Sequence, residues 1–162
     1  MSDNDQKMTE DHADDTANGL RAWDAMMAAW LDAGQDADET RAILNRARLA
    51  GGDGWQASRD ALRLADEYDA LEDGGPWDAF TSDLLEAYAE ARVSMSGEVT
   101  ATALVYLLGF GGPNVRARYD EGETVTVLVD WWGSHASRTI HVPALAAWMA
   151  GELDTLDAGV NA

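Results

Sequence analysis

The stretch from Leu64 to Ala91 reads LADEYDALEDGGPWDAFTSDLLEAYAEA and contains no Lys, Arg or His. Its apolar residues recur at helical spacing on both sides of Gly74, Gly75 and Pro76, which predicts two helices joined by a tight turn. Helices with so short a connection pack antiparallel. The stretch carries nine carboxylates: Asp66, Glu67, Asp69, Glu72, Asp73, Asp78, Asp83, Glu86 and Glu90. On the predicted helices they form a row of negative charge along each outer face.

The whole chain is strongly acidic for its size. It has 162 residues, a net charge of −19, an apolar share of 46% and seven Trp, which is enough for one folded domain. A protein needs Lys and Arg to displace the counterions of nucleic acid, so we expect no direct nucleic-acid binding. A basic protein surface is the natural complement of such charge. A single Lys against ten Arg is also typical of a high-GC genome or a salt-adapted proteome.

The sequence contains no cysteine, and we expect neither a signal peptide nor a membrane-spanning segment. The absence of Cys excludes disulfides and thiolate metal sites. Residues 1–16 are acidic and without periodicity, so they predict a disordered tail and no signal peptide. The longest apolar run, 103–108, is far shorter than the roughly 20 residues of a membrane span. We expect a cytoplasmic protein with no membrane partner and no cofactor.

Helical periodicity begins at Ala17 and predicts a first helix that ends at Gly34. Its inward stripe consists of Leu20, Trp23, Met27, Trp30 and Leu31. Tryptophans at this spacing are usually core residues, so no ligand is assigned to them. Asp36 and Glu39 form a capping box, which predicts that a second helix begins there and runs over 37–50.

The second helix and a third one, over 55–72, are joined by a short glycine-bearing segment, as in a helix-turn-helix motif. Five of the eleven basic residues lie on this pair: Arg41, Arg46, Arg48, Arg59 and Arg63. A DNA-binding role is therefore an alternative. The net charge opposes that role, and we expect these arginines to pair with neighbouring acids.

The second half of the chain changes from helical to alternating periodicity. A fourth helix is expected over 77–91 and a fifth up to Gly109, although Val99, Thr100 and Thr102 leave a strand open as an alternative to the fifth helix. Further on, the apolar residues alternate with polar ones, which predicts a three-stranded antiparallel meander. A proline then begins a closing helix.

These elements predict an α+β protein. We expect a disordered acidic tail over 1–16 and then one domain over 17–162. The domain would have about five helices over 17–109, followed by the meander and the closing helix over 113–157. Its helical layer therefore precedes the sheet in the chain.

The residues that carry most enzyme chemistry are scarce, with three His in the chain. His135 and His141, taken with Asp130, match no metal-binding spacing, so no metal site is predicted. Ser134 adjoins His135, and neighbours in a turn rarely reach the geometry of a nucleophile and its base. The glycines of 109–114 fit neither a dinucleotide nor a phosphate loop. Carboxylates on outer faces lack the distinct environments of a catalytic acid pair. We predict no catalytic residue and no enzyme.

The adjacent Trp131 and Trp132 are a second feature of interest. Strand alternation would place one indole on the core face of the sheet and the other on the opposite face. The closing helix can bury one side only, so one Trp needs another cover or a partner. We assign Trp132 to a partner-binding surface, since an exposed Trp is a common hot spot of binding energy.

The second half of the chain resembles a group of known proteins. GGPNV (Gly111 to Val115), a short meander with an acidic turn, and DWWG (Asp130 to Gly133) are similar to small acidic accessory proteins of phages and plasmids. The likeness spans about Leu104 to His141. That group includes anti-restriction and anti-CRISPR inhibitors, several of which mimic DNA. The resemblance implies an anti-defence role and supplies no site residue.

Charge rows of this kind suggest a function. Carboxylates on neighbouring helical turns are about 5–6 Å apart at Cβ, which resembles the charge track of a nucleic-acid backbone. We expect a non-enzymatic binding protein that blocks the basic nucleic-acid-binding site of a host defence protein or complex. The alternative is a salt-adapted or generic acidic domain. The oligomeric state, the identity of the partner and the source organism are left open by the sequence.

Overall fold

The computed structural model describes residues 2–72, 74–109 and 113–160. The helices and strands within these ranges are α1 (Asp3–Asp32), α2 (Ala37–Ala50), α3 (Trp55–Glu67), α4 (Gly75–Ser82), β1 (Glu86–Val93), β2 (Val99–Gly109), β3 (Asn114–Tyr119), β4 (Thr124–Trp131), β5 (Ser134–His141) and α5 (Pro143–Val160). The predicted α+β class is confirmed. The division between helices and strands differs from the prediction in two places.

The chain divides into two compact units, where the sequence predicts a single domain over 17–162. The helical unit is Asn18–Asp83, and the sheet unit consists of Met1–Ala17 and Leu84–Ala162. Helix α1 contributes its first half to the sheet unit and its second half to the helical unit.

The helical unit has a core of small and medium-sized side chains. The buried residues of its core cluster are Ala22, Met26, Ala29, Leu44, Ala61, Ala65, Ala70 and Leu71. Around this cluster the Trp23 ring lies 5.7 Å from the ring of Tyr68 and 5.6 Å from that of Phe80, measured between centroids. Trp23 and Trp30 pack against the core, as their helical spacing predicts.

One half of the predicted capping box is present at the start of α2, whereas the Glu39 carboxylate pairs with Arg46 and does not reach back to the cap. The Asp36 carboxylate accepts a hydrogen bond of 2.8 Å from the backbone N–H of Glu39. This bond satisfies one of the amide groups that a helix start leaves without an intrahelical partner. Leu44, on the inward face of this helix, is buried as expected.

The sheet unit is a five-stranded antiparallel meander in the order β1-β2-β3-β4-β5. One face of the central strands is buried and consists of Val115, Ala117, Tyr119, Val125, Val127 and Val129. Helix α5 packs against β2, β3 and β4 and buries Leu145, Ala146 and Met149. The three predicted strands are β3 to β5, and the closing helix begins at Pro143 as expected.

The segment predicted as a disordered tail is helical from Asp3 onward. Thr9 and Ala13 are fully buried on this helix. The Arg138 Nε donates a 2.7 Å hydrogen bond to the Asp14 carboxylate, and the Gln6 amide donates to the backbone carbonyl of His135. Contacts with β5 therefore order a segment whose own composition favours disorder.

The predicted fifth helix is wrong, because Val99–Gly109 forms strand β2. Its β-branched residues lose side-chain freedom in a helix and fit a pleated surface. Four consecutive residues, 103–106, are buried, since β2 is covered on both faces over this length. That burial removed the alternation by which a strand is usually recognised.

The predicted fourth helix, over 77–91, is half wrong. Helix α4 ends at Ser82, and Glu86–Val93 forms the edge strand β1. Its Ala and Glu content favours a helix locally, but pairing with β2 overrides that weak preference. The third helix also ends earlier than predicted, at Glu67, and Asp69 then takes a left-handed φ of +50°.

Candidate functional site

The nine predicted partner-binding carboxylates do not lie on two helical rows. Asp66 and Glu67 end α3, Asp69 and Glu72 follow it, Asp78 is on α4, Asp83 caps that helix, Glu86 and Glu90 are on β1, and Asp73 lies outside the described residues. The predicted rows are therefore wrong in geometry. Helix α3 is too short to hold the first row, and two members of the second are on a strand in the other unit.

Six of these carboxylates remain together in the helical unit. We call them the acidic segment, and all are exposed: Asp66, Glu67, Asp69, Glu72, Asp78 and Asp83. Asp66 forms a 2.7 Å ion pair with Arg41. Among the described residues no basic side chain pairs with Glu67, Asp69, Glu72 or Asp78. Most of the negative charge of this segment is therefore uncompensated within the protein.

The backbone of the acidic segment is anchored although its carboxylates are exposed. Ala70 and Leu71 are in the core between exposed acids, and Trp77 and Phe80 are buried on α4. Partial burial, followed by the charges of Asp83 and Glu67, raises the pKa of Tyr68. The buried residues of this part of the chain therefore fix the backbone from which the exposed carboxylates extend.

Glu86 and Glu90 lie on β1 in the sheet unit and differ from each other. Glu90 forms an ion pair of 3.0 Å with Arg118, which also pairs with Asp120 at 3.1 Å. Glu86 is exposed and has no ion-pair partner among the described residues. Glu90 is therefore neutralised within the protein and offers little charge to a partner.

Trp132 is the most exposed Trp of the described chain, at 78%. It lies in the turn between β4 and β5 with φ +46°, and not on the strand that its position in the sequence suggests. Its ring meets that of Trp131 edge to face, with 5.9 Å between centroids. The result is an exposed aromatic tip supported by a half-buried neighbour.

The sequence candidates for metal binding and nucleophilic chemistry are separated by the sheet. His135 is opposite Asp130 in the β4–β5 register, whereas His141 is opposite Thr124 at the other end of the hairpin. The described residues contain no group of three His, Cys, Asp or Glu that could hold a metal ion. Ser134 is fully buried and His135 is exposed, so their side chains do not meet.

A polar network lies on the sheet face opposite the buried valines, and it joins Arg116, which the sequence analysis did not connect with it, to Asp130 and His135. Asp130 binds His135 and forms a 2.6 Å ion pair with Arg116. The hydrogen bond to His135 is the main cause that holds the pKa of Asp130 below the usual 3.8, with a further contribution from Arg116. The alternation of Arg116 and Arg118 with buried residues indicates that both arginines lie on the polar face of β3. It does not identify Asp130 and Glu90 as their partners, because these acids are on other strands.

This network makes a prediction for the acid range. A carboxyl whose pKa is lowered by folding stabilises the protein above its unfolded pKa, and that contribution is lost as the pH falls through the folded value. We expect Asp130→Asn to lower the free energy of unfolding at pH 7 by about 1 kcal/mol, a small value because the groups are partly solvated. The difference from wild type should shrink below about pH 4.

The measurement is the free energy of unfolding by urea from pH 7 to pH 2. Glu121→Gln serves as the control, because Glu121 is exposed and has no ion-pair partner among the described residues. That variant should follow wild type at every pH. A difference between Asp130→Asn and wild type that stays constant down to pH 2 would contradict the role of Asp130.

Three of the five arginines of α2 and α3 form ion pairs within the protein, as the sequence analysis expects, whereas Arg48 and Arg63 have no ion-pair partner among the described residues. Ion pairs join Arg41 to Asp66, Arg46 to Glu39 and Arg59 to Asp60. A recognition helix needs free basic groups for phosphate contacts. The pairing therefore weighs against the helix-turn-helix alternative.

An open cavity of about 180 Å³ lies in the helical unit. Its lining consists of Asn18, Arg21, Gly54, Gln56, Ala57 and Asp60. It holds one acid and one base without a nucleophile, and the Asp60 carboxylate already binds Arg59 at 3.1 Å. The lining offers no set of groups in catalytic roles.

No protein-family model, curated protein or solved structure matches this chain. None of the described helices has the length and apolar character needed to cross a membrane.

Proposed function

We propose that this protein is a non-enzymatic inhibitor that acts in the cytoplasm by occupying a basic nucleic-acid-binding site on another protein. The acidic segment would take the place of nucleic-acid phosphates. From the resemblance to acidic phage and plasmid proteins, the partner would be a host defence protein or complex. The observation that carries the proposal is the set of exposed, uncompensated carboxylates on one ordered segment.

The chemistry of the segment supports this assignment over simple solubility. Glu67, Asp69 and Glu72 are exposed, whereas Ala70 and Leu71, which lie between Asp69 and Glu72, are in the core. Holding like charges near one another costs free energy unless a partner offsets it. A Lys- and Arg-lined groove does so, and its binding would release ions as phosphate binding does. An exposed Trp such as Trp132 supplies the kind of aromatic contact found at binding hot spots.

The test is retention of a partner from a cytoplasmic extract of the host. The tagged protein is immobilised at about 50 mM salt, and the column is eluted with a rising salt gradient. We expect one basic nucleic-acid-binding protein or complex to be retained and to elute as added salt screens the charges. A smear of many basic proteins, or an empty eluate, would contradict the proposal.

The empty or smeared result would favour the alternative of a salt-adapted or generic acidic domain. That alternative makes its own prediction about stability, because acidic surfaces of halophilic proteins repel themselves when salt is removed. The protein would then unfold as the salt concentration falls. A protein that stays folded at about 50 mM salt and retains one partner supports inhibition by mimicry.

A further inference from the structure

Strand β1 is an open edge of the sheet. It pairs with β2 only, and all eight of its residues, Glu86–Val93, are exposed. No other described segment forms backbone hydrogen bonds to its outer side. An edge strand carries a row of free N–H and C=O groups that can pair with another strand.

Two devices that commonly protect an edge strand, a proline and a bulge, are missing from β1, although three of its eight residues are charged. The strand contains no Pro and no Lys. The irregularity in its pairing lies on β2, where Ala103 and Ala101 are opposite the successive residues Glu90 and Ala91, so β1 itself keeps a regular alternation. The other edge, β5, is occupied in part by α1, through the bond from Gln6 to a backbone carbonyl. Of the two edge strands, β1 is therefore the one whose outer backbone groups are open to another strand.

The sequence of β1 is self-complementary when two copies run antiparallel about Ala89. In that register Glu86 of each copy is opposite Arg92 of the other, which gives two ion pairs of opposite charge. Both side chains are exposed and have no ion-pair partner among the described residues. Leu85, 59% exposed, is then opposite Val93, 65% exposed. The two ion pairs and the two apolar pairs therefore share one register, in which Tyr88 is opposite Glu90, an acid already paired with Arg118.

Neighbouring registers lose this match. A shift of two residues in one direction places Glu86 opposite Glu90, and a shift in the other places Glu90 opposite itself. Like charges directly opposite each other destabilise a strand pair. A shift by one residue would join the two sheets with their faces reversed. The polar face of one sheet would then be continuous with the apolar face of the other, which is unfavourable. Of these registers, the one about Ala89 pairs the strand over its full length without placing like charges opposite each other.

We propose that β1 is a self-association interface. Two copies of the chain pair their β1 strands antiparallel about Ala89, so that two five-stranded sheets become one continuous sheet. The contact is isologous and closes on itself, which gives a dimer and no filament. Strand pairing without a covering core buries less than the roughly 1,200 Å² of a stable interface. The dimer should therefore dissociate at micromolar concentrations.

The experiment is a charge exchange followed by analytical ultracentrifugation of the full chain. At about 0.15 M salt the long-range repulsion between two acidic copies is screened, whereas adjacent ion pairs persist. Wild type should form dimers as its concentration rises from about 5 to 500 µM, the range in which weak interfaces associate. Glu86→Arg alone and Arg92→Glu alone should each weaken self-association at least about 10-fold, since two attractions become two repulsions.

Two combinations make the test specific to the register. The double variant E86R/R92E should dimerise as wild type does. An equimolar mixture of E86R and R92E should associate although neither does so by itself, because both ion pairs then join opposite charges. All the substituted side chains are exposed, and matching circular dichroism spectra would establish that each variant is folded. The E67Q/D69N/E72Q/D78N variant, altered in the other unit, should also dimerise as wild type does.

Three outcomes would overturn the proposal. The first is a wild-type chain that stays monomeric at every concentration. The second is a pair of single variants that associate as strongly as wild type, which would place any dimer contact elsewhere. The third is a mixture of E86R and R92E that remains monomeric while wild type dimerises, which would exclude the register about Ala89.

Discussion

Replacing Gly75 with alanine is expected to lower the free energy of unfolding by about 3 kcal/mol. Gly75 begins α4 with φ +80°, a conformation that L-residues rarely adopt. A Cβ atom at this position would lie 2.9 Å from three atoms of the Trp30 indole. The substitution therefore combines backbone strain with displacement of a packed aromatic ring.

Gly52→Ala separates these two causes. Gly52 has a similar φ of +73°, but no heavy atom outside its immediate neighbours lies within 4 Å of an added Cβ. This control should cost only the conformational strain, about 1 kcal/mol. Urea titrations followed by tryptophan fluorescence measure both values. Equal losses in the two variants would contradict the close packing of Gly75 against Trp30. That packing fixes the start of α4, the helix that carries Asp78.

Neutralising the uncompensated acids is expected to abolish most partner binding. The variant E67Q/D69N/E72Q/D78N removes four charges and leaves the core untouched. If each exposed charge contributes about 0.5 kcal/mol, the loss is about 2 kcal/mol, or roughly 30-fold in affinity. Asn suits the left-handed backbone at position 69, where φ is +50°. Titration calorimetry with the retained partner measures the change.

The matched control changes the same amount of charge in other places. Asp32, Asp53, Glu98 and Glu121 are exposed and have no ion-pair partner among the described residues. The variant D32N/D53N/E98Q/E121Q should therefore bind within about 3-fold of wild type, since distant charges act only through the screened long-range field. Equal loss in both variants would mean that total charge, and not the acidic segment, determines binding.

The features that could be predicted from the sequence are those that depend on neighbouring residues. The N-cap at Asp36, the meander of β3 to β5 and the proline start of α5 each carry a short-range signal. The charge of the acidic segment and the exposure of its carboxylates are of the same kind. Composition and local spacing are sufficient to predict these features, because none of them depends on residues far away in the chain.

The errors occur where distant residues decide the outcome. Strand β1 is exposed along its whole length and rich in Ala and Glu, so neither burial nor propensity marks it as a strand. Its formation depends on β2, which was itself obscured by burial on both faces. The ion pair of Glu90 with Arg118 joins residues 28 positions apart, and it compensates the charge of an acid that the sequence analysis predicts to bind a partner.

Competition with nucleic acid is the measurement that tests mimicry most directly. The retained partner is titrated with this protein in the presence of increasing concentrations of the nucleic acid that the partner binds. We expect the apparent Kd for this protein to rise in proportion to the nucleic-acid concentration, because one basic site cannot hold both ligands. An apparent Kd that stays constant while nucleic acid remains bound would contradict occupation of the nucleic-acid-binding site.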